Sequence, residues 1–157
     1  MAGIYSKYIC VHNYVAYNDV YENGELDKDY GGGIRLMCRK TNYWIVENNM
    51  VLNNTGPGIF VRGDYNTFRY NIVRESKNGT LPYESTKGHG IYVHGAGRNS
   101  TLYKNIFCDN EGEDIYNVGR GTTGDENTCD STFNYDDEGI TGCTYSCGIL
   151  PAIPFII

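Results

Sequence analysis

Two short landmarks alternate in a fixed order along most of this chain, and this repetition constrains the fold more than any other feature of the sequence. The first landmark is a Gly-Ile pair that opens an apolar run, and its glycines are Gly3, Gly33, Gly58 and Gly90. The second landmark is an asparagine within a stretch of alternating residues: Asn18, Asn49, Asn71 and Asn105. Internal repetition of this kind is typical of proteins built from stacked repeat units.

The spacing of the two landmarks shows where the repeats differ in length. The distance from each glycine to the next asparagine is 15, 16, 13 and 15 residues, whereas the distance from each asparagine to the following landmark, with Asp114 as the last, is 15, 9, 19 and 9 residues. The extra length enters at one corner, as insertions over 24–32 and 78–89. Repeats of about 22 residues with short strands between Asn and Gly turns predict an all-β solenoid.

Composition excludes several other classes of protein. The 17 Asn and 20 Gly favour turns, the 15 Tyr favour strands, and 4 Ala with 6 Leu are too few for a helical bundle. The net charge of −6 leaves no basic stripe for a nucleic acid. No window approaches the roughly 18 apolar residues of a membrane span. We therefore expect an all-β protein with neither a nucleic-acid partner nor a membrane span.

Two columns of side chains are expected to hold the coils together. Because asparagine tolerates the left-handed conformation and an inward amide can bond to its equivalent in the next coil, we expect an asparagine ladder at the corner. Its members would be Asn18, Asn49, Asn71 and Asn105. We also expect an inward aliphatic stack formed by Ile4, Ile34, Ile59, Ile91 and Ile115.

The asparagine cadence of residues 13–23 and 66–71, joined to the Gly-Ile runs, resembles the right-handed parallel β-helix repeat of pectate-lyase-like enzymes and NosD-type periplasmic proteins. The segment 127–147 resembles a Cys-bearing segment that closes β-helix arrays in archaeal cell-surface proteins. The resemblance implies a right-handed parallel β-helix of four to five coils over residues 1–118. A Cys-containing cap or connector would follow over 119–147, and a truncated apolar tail over 148–157.

The cysteines of the C-terminal segment are candidates for disulfide bonds. Cys143 and Cys147 follow Cys129 closely, which predicts a clip between two of the three, with the odd thiol met by Cys108. A zinc site, for which no fourth ligand is evident, and free thiols are the alternatives. Two further cysteines fall in different columns of the repeat and are expected to be small core residues: Cys10 and Cys38.

An outward column next to the isoleucines is the first candidate binding surface. If each isoleucine points inward, the following residue points outward, and aromatic rings beside basic groups can stack on sugar rings and pair with their acidic groups. The candidate residues for substrate binding are Arg35, Phe60, Tyr92, His94 and Tyr116. The alternative is an ordinary aromatic stack that stabilises the sheet.

The two insertions are expected to wall this surface and to supply its chemistry. A pair of carboxylates there, Glu84 among them, would suit glycoside hydrolysis. Alternatively, Asp27 and Asp29 would hold Ca²⁺ against a uronate. The resemblance to pectate-lyase-like enzymes implies an arginine base beside aspartates, and Arg62 with Asp64 is the pair that matches. Arg62, Asp64 and Glu84 are therefore the candidate catalytic residues.

These observations favour a non-catalytic module that interacts with carbohydrate or serves as a structural element, as a fragment of a longer extracellular or cell-surface protein. Its partners would be a polysaccharide or cell-surface glycan, or stacked copies of itself. The first alternative is a lyase or glycoside hydrolase acting on an acidic polysaccharide. The second, implied by the NosD-type resemblance, is copper-site maturation with soft ligands: Met37, Cys38, His89 and His94.

Overall fold

The computed structural model describes residues 2–8, 12–25, 31–38 and 43–148, and short strands separated by tight corners dominate them. The first coil contains β1 (Ile4–Tyr8), β2 (Tyr14–Ala16) and β3 (Asp19–Tyr21). The second contains β4 (Ile34–Cys38), β5 (Ile45–Glu47) and β6 (Met50–Leu52). The third contains β7 (Ile59–Val61), β8 (Thr67–Arg69) and β9 (Ile72–Arg74). The fourth contains β10 (Ile91–Val93), β11 (Thr101–Tyr103) and β12 (Ile106–Cys108).

Three further strands continue the stack: β13 (Ile115–Asn117), β14 (Thr123–Asp125) and β15 (Thr132–Phe133). The expectation that the coils end at residue 118 thus differs from the structure, since β14 pairs with β11 and β15 pairs with β13. The coils continue because the corner after β14 keeps its inward asparagine, Asn127. No Gly-Ile pair precedes this coil in the sequence. The C-terminal segment therefore builds coil as well as a cap.

Three parallel sheets form the sides of the molecule. The first has the order β1-β4-β7-β10-β13-β15, the second β2-β5-β8-β11-β14, and the third β3-β6-β9-β12. Because each strand pairs with its equivalent one coil away, the chain winds as a parallel β-helix, which confirms the predicted fold class. Among the described residues, the helical content is one 3₁₀ turn at Glu84–Thr86.

The core is the set of inward columns between the sheets. The isoleucine column is in register from β1 to β13, and its members from Ile34 to Ile115 are fully buried. The second and third sheets add Phe68 and Phe107, which have no solvent exposure. Removing these side chains from water is the main favourable contribution to folding.

The asparagine ladder is present and longer than expected. Side-chain amides of successive asparagines bond at 2.9, 3.0, 2.9 and 3.0 Å, and the series continues through Asn127 to the carboxylate of Asp137. The left-handed conformation, however, belongs to the residue before each ladder asparagine, with φ between 51° and 57°. Those residues are Tyr17, Asn48, Tyr70, Lys104 and Glu126. The amides are thereby free to point inward, where backbone carbonyls also accept from them.

Two disulfide bonds tie the C-terminal segment to the coils. Cys129 bonds to Cys143 with Cα atoms 5.6 Å apart, and Cys147 bonds to Cys108 with Cα atoms 5.8 Å apart. The disulfide prediction is confirmed over the zinc alternative. Cys38 lies in the core, as expected, but it is disulfide-bonded as well, and Cys10 lies outside the described residues.

None of the helical structure in the described ranges is long and apolar enough for a membrane crossing. Of the expected apolar tail 148–157, only Gly148 falls within those ranges.

Candidate functional site

The outward column of the first sheet is in register as predicted, but much of it is buried. Arg35, Phe60 and Tyr92 are only 2%, 2% and 7% exposed. The Arg35 guanidinium lies 4.1 Å from the centre of the Phe60 ring and donates to the carbonyl oxygens of Gly31 and Ser85. Because the second insertion lies across this arginine, these three side chains present little surface to a ligand.

The second insertion, residues 78–89, is a folded wall held by its own hydrogen bonds. Gly79 N–H donates to the Thr86 carbonyl at 2.7 Å, and Gly88 N–H donates to Asn78 Oδ1 at 2.9 Å. Asn78 N–H donates to Glu111 Oε2 at 2.8 Å, which ties the insertion to the next coil. The wall is therefore fixed at its base to the corner before β13.

A cleft of about 430 Å³ lies between this wall and the corner before β13. We call it the His89 cleft, and its functional side chains are Glu84, Lys87, His89, Glu111, Glu113 and Tyr116. Its volume falls within the range of small-molecule sites. Tyr116 is the middle residue of β13 and His89 lies two residues before β10, while the insertion also carries Glu84 and Lys87.

The hydrogen bonds of His89 assign its tautomer. The ring is 3% exposed, its Nδ1 accepts from Glu113 N–H at 3.0 Å, and its Nε2 lies 3.3 Å from Glu84 Oε2. Because Nδ1 accepts, the neutral ring carries its proton on Nε2 and donates it to the Glu84 carboxylate. Burial lowers the pKa of His89, against the opposing influence of Glu84 and Glu113, so the neutral form is favoured.

Ring stacking determines what Tyr116 can offer a ligand. The His89 ring stacks on Tyr116 with centroids 4.4 Å apart, and Phe133 stacks on the other side at 4.8 Å. Burial, followed by the charges of Glu84 and Glu113, raises the pKa of Tyr116. With both faces covered, Tyr116 presents its edge and a protonated hydroxyl rather than a face for sugar stacking.

The charge of the His89 cleft is negative. Three carboxylates, those of Glu84, Glu111 and Glu113, face one ammonium group, that of Lys87, and a neutral imidazole. A uronate or sulfate would be repelled here, whereas the hydroxyl groups of an uncharged sugar could donate to the carboxylates. The cleft therefore favours a neutral ligand.

The candidate catalytic residues are not brought together. Arg62 and Asp64 follow β7 and line a separate cavity of about 330 Å³, which shares no lining residue with the His89 cleft that contains Glu84. The separation arises because the insertion precedes the strands of the first sheet, while Arg62 and Asp64 follow them. The set expected from the sequence is thus divided between opposite ends of the same strands.

Two buried polar atoms belong to residues that line this second cavity, which we call the Arg62 cavity. Within the described ranges, Arg62 Nε and Asp64 Oδ1 are buried without a hydrogen-bond partner. Nearby, His94 Nδ1 accepts from Ala96 N–H at 3.1 Å. Burial lowers the pKa of His94, and the positive charges of Arg62 and Arg35 lower it further.

The described residues offer little to a metal ion. Asp27 and Asp29, the expected calcium ligands, lie outside those ranges. Within them no group of three His, Cys, Asp or Glu side chains is arranged to hold a metal. For copper, Cys38 is committed to a disulfide and both ring nitrogens of His89 are engaged.

Glu111 and Glu113 are site residues that the sequence reasoning missed. They occupy the three-residue corner 111–113 before β13, which aligns with the corner that carries the insertions in other coils. An alignment of the residues that precede each Gly-Ile or Asp-Ile pair would have placed these two carboxylates beside the 78–89 insertion.

A family model described as a right-handed β-helix region matches residues 1–144. A search of curated proteins and a search of solved structures gave no match.

Proposed function

The chain belongs to the right-handed β-helix family, and from that premise we propose that it is an extracellular module that interacts with carbohydrate through the His89 cleft. The coils of such a fold serve many unrelated functions, so the function has to be argued from the groups on their outer surface. Here those groups are the walled cleft and its polar side chains.

The observation that carries this proposal is the fixed arrangement of His89 and Glu84. The Glu113 backbone holds the imidazole on one side, so its Nε2 proton points toward the Glu84 carboxylate. Glu84 keeps about half of its side-chain surface exposed, which leaves carboxylate lone pairs free for a ligand. A preorganised acceptor beside Lys87 and the Tyr116 hydroxyl suits vicinal sugar hydroxyls, which both donate and accept.

The extracellular location rests on cysteine chemistry. Cys108, Cys129, Cys143 and Cys147 are paired, Cys38 is also bonded, and the described ranges contain no free cysteine. Disulfides of this density form and persist in oxidising compartments.

The test is retention of the purified chain on immobilised mannan, xylan and dextran. We expect retention on at least one of these neutral polymers. Glu84→Gln should weaken it about tenfold, because a hydrogen bond to a charged group contributes on the order of one to two factors of ten in affinity. Retention is measured at constant ionic strength by the polymer concentration that elutes half of the protein.

The matched control is Glu75→Gln, which removes the same charge from an exposed corner outside the cleft. Equal weakening by both variants, or no retention of the unaltered chain on any of the three polymers, would refute binding at the His89 cleft.

A second candidate function is hydrolysis of a neutral glycan. It is favoured by two glutamates of the cleft that both contact His89: Glu84 Oε2 lies 3.3 Å from its Nε2, and Glu113 N–H donates to its Nδ1. Glycosidases commonly use such a pair as acid and base. This candidate replaces the expected catalytic residues Arg62 and Asp64, and it differs from the acidic-polysaccharide alternative in substrate charge.

New reducing ends distinguish the enzyme from the binding module. If the chain is a hydrolase, incubation with the same three polymers releases reducing ends, and either Glu84→Gln or Glu113→Gln abolishes the release while Glu75→Gln does not. Retention without products leaves the binding module as the function.

A further inference from the structure

The two ends of the coil stack differ in how they are covered. At the C-terminal end, Glu138 N–H donates to the Gly124 carbonyl at 2.9 Å, and Tyr145 N–H donates to the Asn127 carbonyl at 3.0 Å. At the N-terminal end, in the part of the chain that the structure describes, β1, β2 and β3 are each the outermost strand of their sheet. Because an outermost strand exposes backbone donors and acceptors to other chains, this end is a candidate interface.

The asparagine ladder gives the N-terminal end a chemical direction. Asn18 Nδ2 donates to Asn49 Oδ1 at 2.9 Å, and every later ladder amide donates to the coil that follows it, as far as Asp137. Within the described ranges, no donor reaches Oδ1 of Asn18 or of Asn23, although both residues donate to the second coil. This end therefore presents acceptors that fit the donors of a further coil.

An acidic side chain accompanies these acceptors. Glu22 is exposed and takes part in none of the ion pairs formed by the described residues. It occupies the left-handed corner position after β3, with a φ of 53°, as Asp109 does after β12, with a φ of 58°. We call the surface around this corner the N-terminal edge, and its members are Asn18, Asp19, Tyr21, Glu22 and Asn23.

The interface between the third and fourth coils shows what such an edge receives. The strand register places three residues of the fourth coil at the positions of Asn18, Glu22 and Asn23. They are Asn105, Asp109 and Asn110. The third coil donates to each of them in turn, through Asn71 Nδ2 at 2.9 Å, Arg74 Nε at 3.0 Å and Ser76 N–H at 3.1 Å. The N-terminal edge thus repeats an acceptor pattern that is filled inside the stack.

Exposed tyrosines surround the N-terminal edge. The first coil contributes five large side chains that are well exposed: Tyr5, Tyr8, Tyr14, Tyr17 and Tyr21. Tyr17 is 77% exposed, whereas Tyr70, at the same corner position two coils further on, is 46% exposed. Tyrosine is enriched where proteins bind one another. The surroundings of the edge therefore suit a protein partner.

A second copy of this chain is a poor occupant of the edge. At the opposite end of the stack, Asp137 already accepts from the last ladder amide, so a head-to-tail stack has no donor to offer. Two copies that met through their N-terminal edges would set acceptor oxygens against acceptor oxygens. They would also bring together the carboxylates of Asp19 and Glu22 from both copies, which repel.

We propose that the N-terminal edge docks an extended, basic segment of a separate polypeptide, which adds to β3 as a parallel strand. An asparagine of that segment donates to Asn18 Oδ1, and a lysine or arginine three residues later pairs with Glu22. A backbone N–H two residues after the basic residue donates to Asn23 Oδ1. The edge shares no residue with the His89 cleft, so this inference stands without the function proposed for that cleft.

The probe is a synthetic peptide with the sequence of residues 66–76, labelled with fluorescein, whose side chains carry a net charge of +1 from two arginines and one glutamate. Its binding to the full chain is followed by fluorescence anisotropy, and we expect saturation with a Kd below about 1 mM. A control peptide in which Asn71 and Arg74 exchange places keeps the composition and loses the spacing, so it should bind about tenfold more weakly. Absence of saturable binding, or equal binding of the two peptides, would overturn the proposal.

Strand addition is tested at Tyr21. Because β6 bonds to the Asn18 carbonyl and to Glu22 N–H, the alternation of a parallel ladder directs Tyr21 N–H away from β6 and toward the open side. Tyr21→Pro removes this donor at a position where an outermost strand tolerates proline, whereas Tyr21→Ala removes the same ring and keeps the donor. We expect the proline variant to lose peptide binding and the alanine variant to retain most of it. Equal loss in both variants would overturn strand addition.

The charge pair is tested at Glu22. Glu22→Gln should weaken peptide binding about threefold, which is typical of an exposed ion pair. The matched control is Glu75→Gln, which makes the same change at the equivalent exposed corner of the third coil and should leave the affinity unaltered. Both variants should keep the unfolding midpoint of the unaltered chain, because both side chains are exposed. Equal affinities of the two variants would overturn the pairing with Glu22.

Sedimentation equilibrium of the chain without peptide identifies any competing occupant. We expect a monomer, since the two ends of the stack do not complement each other. A dimer that dissociates in the Tyr21→Pro variant would overturn the proposal by assigning the N-terminal edge to a second copy.

Discussion

At the scale of single residues, His89 joins the fold to the candidate site. Its ring is covered by Tyr116 on one face, and its two nitrogens contact Glu113 N–H and the Glu84 carboxylate. Protonating Nδ1 would remove the acceptor for Glu113 N–H and place a charge in a buried position. The same contacts that orient the ring for a ligand therefore also make the folded state sensitive to acid.

We predict that stability declines as the pH falls below about 6.5, the ordinary pKa of histidine. The unfolded chain binds a proton at His89 in that range, whereas the folded chain, with its lowered pKa, does not. The contribution is fully present above the unfolded pKa and is lost as the pH decreases toward the folded one. Urea unfolding at pH 7.5 and at pH 5.5 measures the decline, which His89→Gln should reduce. An identical decline in that variant would contradict the assignment of the neutral ring.

At the scale of elements, the coil strands and the insertion differ in how they are stabilised. Each strand pairs with equivalent strands in neighbouring coils, so several backbone hydrogen bonds fix its position. The 78–89 insertion, by contrast, depends on internal hydrogen bonds and on contacts with the coils, such as those of Asn78 with Glu111 and of Ser85 with Arg35. Elements held by few contacts open locally at low cost, without unfolding the whole protein.

We predict that Glu111→Ala loosens the insertion and leaves the coils intact. The substitution removes the acceptor for Asn78 N–H, while Glu111→Gln retains an acceptor oxygen at the same position. Limited proteolysis should cut the alanine variant within residues 78–89 several times faster than the unaltered chain, and the glutamine variant at nearly the original rate. Far-ultraviolet circular dichroism should show the same unfolding midpoint for all three. A lower midpoint in the alanine variant would show that the insertion and the coils unfold together.

The same difference explains how much could be predicted from the sequence. The isoleucine column and the asparagine ladder follow from a period that several coils repeat, and the C-terminal disulfides follow from the close spacing of Cys129, Cys143 and Cys147. The position of the left-handed residue at each corner could not be predicted, because Tyr70, Lys104 and Glu126 at that position share no side-chain property. The burial of Arg35 under Ser85 was equally hidden, since an insertion that occurs once has no equivalent to reveal its path.

At the scale of the whole molecule, the asparagine ladder ends at a buried aspartate, Asp137, on its C-terminal side. Asp137 accepts from the Asn127 amide and backbone, from the Tyr135 hydroxyl at 2.6 Å and from Thr144. Burial acts to raise the pKa of Asp137, but the hydrogen bonds from Tyr135, Asn127 and Thr144 outweigh it and lower the pKa. A carboxylate thus takes the place of the next asparagine, and the two disulfides hold the closing segment over it.

We predict that Asp137→Ala destabilises the molecule by about 3 kcal/mol, because it leaves several buried donors of the last coil without an acceptor. Glu138→Ala, which removes an exposed carboxylate one residue later, should change the free energy of unfolding by less than about 0.5 kcal/mol. Acid should act in the same direction as the Asp137 substitution. The Asp137 contribution is present above its unfolded pKa of 3.8 and is lost as the pH falls through the lowered folded value. Urea unfolding of both variants at pH 7 and pH 3 measures these effects. If Asp137→Ala and Glu138→Ala unfold at the same urea concentration at pH 7, the carboxylate does not close the ladder, and the disulfides alone hold the end of the stack.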